Sequence, residues 1–176
     1  MNYEFRKMNA DEFDSVFSIL VDSFPADEYR DYEKQRKLPD NNRYSIYVLI
    51  DCNKIKGFIA VWEFDDLIFI EHLAVFEKYR NQGTGTSLLK QICSMTDKDI
   101  CLEVELPETE KARRRIGFYE RNGFVLNNYD YEQPAYSEDK SAVPLLIMTY
   151  GKSISETRFR EIEKILYRYV YEKDGR

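Results

Sequence analysis

The chain has 176 residues, of which 43% are apolar and 33% are charged. This composition is typical of one globular domain with a sizeable core, and it argues against a disordered or membrane-embedded chain. The formal net charge of -6 argues against a broad basic surface for nucleic acid, so we expect no nucleic-acid partner.

Cysteine use and hydropathy favour a cytoplasmic protein. Cys52, Cys93 and Cys101 are odd in number and lack metal-ligand spacing, so we expect buried, reduced thiols and no metal site. No apolar run reaches membrane-spanning length, so we expect no membrane partner.

The first third of the chain predicts a strand, a helix and a variable arm. Alternation at residues 3–7 predicts a short strand. The next segment has helical spacing, with Asn9 and Glu12 placed as a capping pair and Pro25 after its end. Its expected apolar face consists of Phe13, Val16, Phe17, Leu20 and Val21. The charged stretch through Lys37 predicts either a second helix or a mobile arm.

The middle of the chain alternates strands and helices. Two runs rich in β-branched and aromatic residues, 44–50 and 55–64, predict a hairpin because Asp51-Cys52-Asn53-Lys54 separates them. The later elements are a central strand at 67–76, a helix after Gly85, a strand at 100–106, a helix from Pro107 to a left-handed end at Gly123, a polar loop at 127–143 and a strand at 144–150.

The last segment predicts an amphipathic helix that begins at Ser153. Glu156 follows Ser153 by three residues, as in a capping box. Its apolar stripe consists of Phe159, Ile162, Leu166, Tyr169 and Val170. This stripe fits packing on the domain's own surface, or binding of a partner or of a second copy in a homodimer.

The most informative stretch joins the central strand to the next helix through a glycine-bearing turn. Gly83 and Gly85 let the backbone bend, and the first N–H groups of the helix lack intrahelical partners. These groups and the helix dipole favour phosphate, which Arg80 also binds well.

Two common glycine-rich motifs do not fit this turn. A P-loop needs Lys followed by Ser or Thr after its second glycine, whereas Thr86 and Ser87 follow Gly85 here. A dinucleotide-binding fingerprint needs a small residue where Leu88 stands.

Three motifs instead resemble the GNAT superfamily of acetyl-coenzyme A-dependent N-acyltransferases. The run Arg80-Asn81-Gln82-Gly83-Thr84-Gly85, after Leu73-Ala74-Val75, resembles the pyrophosphate-binding motif of that family. Leu102-Glu103-Val104 is similar to its next strand, and Phe118-Tyr119-Glu120-Arg121-Asn122-Gly123-Phe124 is similar to its later helix end. The three matches occur in the family's order, over about residues 67 to 126.

This resemblance implies a fold, a cofactor and an activity. The fold is α/β (α+β), with a mixed sheet of six to seven strands, splayed parallel central strands and helices on both faces. Residues 1–151 would form the acetyltransferase domain, and residues 152–176 would form a helix packed on or appended to it. Acetyl-CoA would be bound by Leu73, Ala74, Val75, Arg80, Asn81, Gln82, Gly83, Thr84, Gly85 and Thr86.

The expected reaction is acetyl transfer to a primary amine of a small cationic molecule, by direct attack in a ternary complex without metal. A protein N-terminus or lysine is the alternative acceptor. A non-catalytic acetyl-CoA sensor that engages a partner through its C-terminal helix is the alternative from another class.

Glu71 is the first candidate for the general base. Alternation along the central strand places it among Leu67, Phe69, Leu73 and Val75, with His72 on the opposite face as a structural residue. A strand bulge would reverse the face of His72. Such a carboxylate would have a raised pKa, as a base requires. The alternative is that Glu71 lies at a rim and only pairs with a cation.

Two more glutamates lie on one face of the following strand. Glu103 is the second candidate base, since a glutamate in the Leu-Glu-Val context is the base in some GNAT enzymes. Glu105 is a candidate for binding a cationic substrate, and an ion pair with one of Arg113, Arg114 and Arg115 is its alternative.

Tyrosines complete the predicted site. Tyr119 occupies the position of the family's general acid, which protonates the coenzyme A thiolate. Tyr129, Tyr131 and Tyr136 could form an aromatic wall for an ammonium group, or could serve ordinary loop packing.

Overall fold

The computed structural model describes residues 3–173 and forms two compact units, Met1–Lys98 and Asp99–Arg176. Over the described residues it contains seven strands and five α-helices, which confirms the predicted α/β class and the expected number of strands. The splay of two parallel strands stays a prediction.

The first unit is an antiparallel sheet whose strands pair in chain order. Its strands are β1 (Glu4–Lys7), β2 (Tyr44–Asp51), β3 (Lys54–Glu63) and β4 (Leu67–Val75). Its helices are α1 (Phe13–Ser23), α2 (Tyr32–Lys37) and α3 (Thr84–Ser94). Short 3-10 turns occur at Ala10–Glu12, Ala26–Glu28, Leu38–Asp40 and Glu77–Tyr79.

Local sequence signals explain the 3-10 turn at Ala10–Glu12, which leads directly into α1. The predicted pair of Asn9 and Glu12 forms a capping box, in which the Asn9 N–H donates to a Glu12 carboxylate oxygen over 2.8 Å. The buried face of α1 contains Phe13, Val16, Ile19 and Leu20. Val21, which we expected on this face, is 43% exposed.

A bulge interrupts β4 at Glu71. His72 pairs with Ala60 of β3, whereas Ile70 pairs with the adjacent Val61, so Glu71 is an extra residue in the ladder. The expectation of strict alternation along β4 is therefore wrong. Beyond the bulge, His72 lies on the same face as Phe69 rather than on the face of Ile70.

The second unit is a three-stranded antiparallel arrangement. Its elements are β5 (Asp99–Glu105), α4 (Glu110–Arg121), β6 (Phe124–Gln133), β7 (Val143–Tyr150) and α5 (Glu156–Ile165), followed by a π-helical turn at Leu166–Val170. Strand β7 pairs with both β5 and β6. As predicted, Gly123 has a left-handed φ of 88° after α4.

The prediction of a loop at 127–143 is wrong for its first half, because β6 extends to Gln133. Asn127 pairs with Ile147 and Tyr131 pairs with Leu145, so the ladder continues across an irregularity between them. The sequence did not predict this part of the outer strand because its residues are largely polar, and some of its side chains face solvent.

The helix α5 packs against β6 in its own unit. The ring of Phe159 stacks on that of Tyr129 at 4.8 Å, and the Asn127 side-chain oxygen accepts from the Ile154 N–H over 3.0 Å. The N-cap is Ser155, whose hydroxyl accepts from the Arg158 N–H. The expected capping box at Ser153 is therefore wrong by two residues.

The three cysteines are free, but they differ in exposure. Cys101 is buried and Cys93 is partly buried, whereas Cys52 is exposed in the turn between β2 and β3, contrary to our expectation. In the described part of the chain, every helix is too short or too polar to cross a membrane.

Candidate functional site

The turn before α3 is built on one left-handed glycine. Gly83 is the N-cap of the helix and has a φ of 81°, and Asn81 also has a positive φ of 61°. Gly85, which we expected to bend the chain as well, lies inside the first helical turn. Glycine is therefore required for backbone conformation at Gly83.

This turn presents unpartnered backbone donors. The first N–H of α3 to bond back along the helix is that of Ser87, which donates to the Gly83 carbonyl over 2.9 Å. The preceding N–H groups of Thr84, Gly85 and Thr86 point out of the helix start. Within Thr84–Ser94 the first turn carries no acidic residue that would oppose an anion.

Side chains of the turn fold back onto its own backbone. The Nε of Arg80 donates to the Val75 carbonyl over 3.2 Å, which joins the turn to the end of β4. The Gln82 amide donates to the Lys78 carbonyl over 2.9 Å. These contacts bring together the predicted cofactor residues of β4 and of the turn, and they leave the Arg80 guanidinium exposed.

Two further lysines add positive charge, and the sequence analysis did not identify them. Lys56 and Lys78 lie 3.7 and 4.9 Å from the centre of the Tyr79 ring. Partial burial raises the pKa of Tyr79, but hydrogen bonds and charge from these lysines outweigh it and lower the pKa. The sequence analysis missed this pair of lysines because Lys56 and Lys78 belong to separate elements of the fold.

A cavity of about 580 Å³ adjoins the turn within the first unit. It is lined by Ile19, Asp22, Ser23, Val75, Phe76, Glu77, Lys78 and Arg80. Among the described residues, the Ser23 hydroxyl is buried and has no hydrogen-bond partner. Ser23 is thus a candidate ligand-binding residue that carries no recognisable motif in the sequence.

Glu71 is buried in an ion pair. Its carboxylate lies 2.7 Å from a guanidinium nitrogen of Arg30, and the two side chains are 1% and 8% exposed. The indole N–H of Trp62 donates to the other carboxylate oxygen over 3.1 Å. The contacts therefore fit the alternative in which Glu71 pairs with a cation, but the expected place at a rim is wrong because the pair is buried.

The expected rise in the pKa of Glu71 is wrong. Burial raises this pKa. The charge of Arg30, the electrostatic interaction with His72 and the hydrogen bonds from Arg30 and Trp62 together outweigh burial, so the pKa is lowered. Burial lowers the pKa of His72 itself, so Arg30 supplies the lasting positive charge at neutral pH. A carboxylate held in its ionised form in this way is a weak proton acceptor.

Glu103 has a different environment, made of tyrosines. The Tyr171 hydroxyl lies 2.8 and 2.7 Å from its two carboxylate oxygens, and the Tyr131 hydroxyl donates to one of them. The Glu103 side chain is partly exposed, so it remains accessible. Burial and the Glu103 charge raise the pKa of Tyr131 well above its usual value, which keeps this hydroxyl protonated.

Aromatic rings extend this cluster, which we call the tyrosine cluster and define as Tyr131, Tyr136, Tyr167 and Tyr171. The ring of Tyr136 lies 5.1 Å from that of Tyr171, and the ring of Tyr131 lies 6.2 Å from that of Tyr167. The predicted residues Tyr131 and Tyr136 thus both belong to it. The ring of Tyr129 instead packs on α5.

Glu105 pairs with an arginine instead. Its carboxylate lies 3.2 Å from a guanidinium nitrogen of Arg115, and both side chains are about one quarter exposed (27% and 23%). This ion pair is the alternative that the sequence offered for Glu105.

Tyr119 is buried on α4. Its ring contacts those of Phe118 and Phe124 at 5.2 and 5.8 Å. Burial raises its pKa, although the charge of Arg115 opposes this rise. The phenol is therefore protonated at neutral pH, the state that its predicted role requires.

Comparisons with known proteins identify the family. A model described as an acetyltransferase (GNAT) domain matches residues 42–126. A structure from Bacteroides thetaiotaomicron, described as an acetyltransferase of the GNAT family, is 34% identical. The match covers 96% of this chain and 98% of that chain, with a TM-score of 0.87. None of the curated proteins matches the sequence significantly.

More distant structures share the fold. The ribosomal-protein-S18-alanine N-acetyltransferase from Escherichia coli is 20% identical, with 88% of this chain and 97% of that chain covered and a TM-score of 0.64. The PaiA N-acetyltransferase from Thermoplasma acidophilum, in complex with coenzyme A, is 15% identical, with coverages of 85% and 99% and a TM-score of 0.64. Together with the closer match over nearly the whole chain, these findings confirm the predicted family: the chain belongs to the GNAT family of acetyltransferases.

Proposed function

We propose that this enzyme transfers the acetyl group of acetyl-CoA to a primary amine of a small cationic molecule, by direct attack in a ternary complex. The observation that carries this proposal is the turn at residues 80–86, which offers N–H groups and a guanidinium to a diphosphate. Coenzyme A in the Thermoplasma relative supports the choice of cofactor.

The cofactor would bind along the turn and the end of β4. The backbone of Thr84 to Thr86 and the side chain of Arg80 hold the diphosphate, while main-chain groups of residues 73–75 bind the pantetheine arm. The adjoining cavity and the buried Ser23 hydroxyl fit a polar chain of this kind. Asn81, Gln82 and Gly83 shape the turn.

The chemistry requires two proton transfers. The amine nitrogen attacks the thioester carbonyl, the carbon–nitrogen bond forms and the carbon–sulfur bond breaks. The proton that the amine loses passes to a base, and Tyr119 donates a proton to the leaving thiolate. The base then releases its proton to solvent, and the Tyr119 phenolate takes one up, which restores both groups.

Of the two candidate bases, the contacts favour Glu103. Glu71 is neutralised by Arg30, so its burial serves the packing of the first unit. Glu103 is partly exposed, and it accepts hydrogen bonds from the hydroxyls of Tyr131 and Tyr171, which orient its carboxylate. An exposed and oriented carboxylate can meet an ammonium group.

The same contacts support a cationic acceptor. Glu103 attracts positive charge, and the electron-rich faces of Tyr131 and Tyr136 favour a cation. Glu105 is a weaker candidate for this role because Arg115 neutralises it.

The remaining expectations belong to the same proposal. Residues 1–151 form the catalytic domain, and residues 152–173 belong to the same domain because α5 packs on β6. The ends of the predicted ranges, residues 1–2 and 174–176, lie outside the described residues. Three free cysteines fit a reducing compartment such as the cytoplasm.

The first experiment measures acetyl-CoA binding by calorimetry in the Gly83→Ala variant. Alanine at a left-handed φ distorts the turn, so we expect at least tenfold weaker binding. Gly151→Ala is the matched control, since Gly151 has a φ of 80° and neither position has an atom within 4 Å of an added Cβ. Equal binding in both variants, or no binding by the unchanged enzyme, contradicts the cofactor site.

The second experiment measures thiol release from acetyl-CoA with a panel of 1,4-diaminobutane, spermidine, lysine, and peptides with a free N-terminus or lysine. Fastest turnover with a small diamine or polyamine supports the proposal. Fastest turnover with a peptide overturns its substrate class, and tight cofactor binding without any transfer favours a sensor. Tyr119→Phe is expected to lower kcat while leaving cofactor binding unchanged.

A further inference from the structure

We propose that Tyr171, which follows the π-helical turn at Leu166–Val170, is part of the acceptor site, where its hydroxyl holds Glu103 in place to bind the ammonium group of the amine. This inference rests on the proposed function and deepens it. It assigns Tyr171 as a positioning residue, because its hydroxyl acts on the acceptor through Glu103.

The contact itself is the first support. The Tyr171 hydroxyl lies within hydrogen-bond distance of both oxygens of Glu103, at 2.8 and 2.7 Å, although the two residues are 68 positions apart in the chain. Tyr131 donates to the same carboxylate from β6. Two hydroxyls from separate elements therefore fix the orientation of one charged group.

The backbone around Tyr171 is the second, independent support. The chain leaves α-helical geometry at Leu166, and the Tyr171 N–H donates to the Leu166 carbonyl five residues earlier, over 3.1 Å. The next residue, Glu172, has a φ of 53°, which is unfavourable for a side chain with a Cβ. Tyr171 thus lies between two departures from regular helix, a pattern that is common at functional sites.

The third support is the chemistry of the surrounding rings. The Glu103 carboxylate lies beside the rings of Tyr131 and Tyr171, which are both buried. A carboxylate beside aromatic faces binds a primary ammonium through charge and cation–π attraction, whereas it repels an anionic acceptor.

Tyr167 provides a matched control from the same segment. It is as buried as Tyr171, and its hydroxyl donates to the backbone carbonyl of Glu132 over 2.6 Å rather than to Glu103. Replacing either tyrosine by phenylalanine removes one hydroxyl and one hydrogen bond. Only Tyr171→Phe removes a partner from the Glu103 carboxylate.

The experiment compares Tyr171→Phe with Tyr167→Phe in full-length protein. The probe is 1,4-diaminobutane, spermidine or lysine, whichever the unchanged enzyme acetylates fastest. Loss of a hydrogen bond to a charged group predicts an amine KM raised about tenfold in Tyr171→Phe. The amine KM of Tyr167→Phe should stay within about twofold of the value in the unchanged enzyme. The KM for acetyl-CoA should stay within about twofold of its own value in the unchanged enzyme in both variants. KM does not depend on the fraction of folded enzyme, so partial unfolding would not imitate this result.

A double variant tests whether Tyr171 acts through Glu103. Adding Tyr171→Phe to Glu103→Gln should raise the amine KM by less than about twofold beyond Glu103→Gln alone, because the charged partner is already gone. Equal amine KM values in Tyr171→Phe and Tyr167→Phe, or a full tenfold further rise in the double variant, overturn the inference. Absence of turnover in the unchanged enzyme overturns the proposed function instead.

Discussion

Glu71 lies on β4 of the first unit and Glu103 lies on β5 of the second, and the two carboxylates have different partners. Glu71 is 1% exposed and paired with a charged arginine, whereas Glu103 is partly exposed and bonded by neutral tyrosine hydroxyls. A positive partner neutralises a carboxylate, and neutral donors orient it without removing its charge. The comparison supports our proposal that Glu71 is structural and that Glu103 acts on the cation, because the partner of a carboxylate determines its charge and orientation as much as burial does.

The largest expected effect tests this comparison on activity. Glu103→Gln should lower kcat by about 10²- to 10⁴-fold, because it removes the proposed base. Glu71→Gln should keep kcat per folded molecule within about threefold, since its role is in packing rather than proton transfer. Steady-state kinetics normalised to folded protein measures both values. A larger loss of kcat in Glu71→Gln than in Glu103→Gln would show that Glu71, and not Glu103, is the base.

The next effect tests the comparison on stability. Arg30→Met leaves the Glu71 carboxylate buried without its cation, which should lower the free energy of unfolding by about 3–5 kcal/mol. Arg36→Met is the control, because the pair of Arg36 with Asp14 is largely exposed and contributes about 1 kcal/mol or less. Urea denaturation measures both. A loss as small as that of Arg36→Met would show that Arg30 does not hold the Glu71 charge.

The pH dependence of that loss gives a sharper test. In the unchanged protein the folded pKa of Glu71 lies below its ordinary value of 4.5, so its contribution is present above pH 4.5 and is lost as pH falls through the folded pKa. Without Arg30, burial raises the pKa instead, and protonation relieves the buried charge. The deficit of Arg30→Met should therefore shrink between pH 7 and pH 5. A constant deficit would argue against this account.

The smallest expected effect concerns Glu105. Its pair with Arg115 is partly exposed, so Glu105→Gln should change stability by about 1 kcal/mol or less. We also expect the amine KM to stay within about twofold, because Arg115 already neutralises Glu105. A large rise in the amine KM would restore Glu105 to the acceptor site.

Local features of the fold were predictable because neighbouring residues determine them. The capping pair of Asn9 and Glu12, the left-handed Gly83 and Gly123, and the hairpin of β2 and β3 each depend on a few adjacent positions. The polar outer strand β6 was missed at residues 127–133, since its pairing with β7 rather than its composition defines it.

The candidate site was predictable in its cofactor turn but not in its charge partners. The glycines and Arg80 form a contiguous motif, whereas Arg30 lies 41 positions from Glu71 and Tyr171 lies 68 positions from Glu103. Contacts over such separations depend on tertiary packing. The bulge at Glu71 likewise follows from pairing with β3, and a single strand in isolation carries no signal for it.

The extra residue in β4 has a consequence for protein design. In a regular strand, alternation from Leu67 would decide which face of the sheet each later side chain occupies. The extra residue at Glu71 reverses this assignment for every residue that follows, including residues 73–75. Grafting that tripeptide onto a regular scaffold would turn its main chain and side chains the wrong way. A successful transplant must carry the irregularity along with the residues.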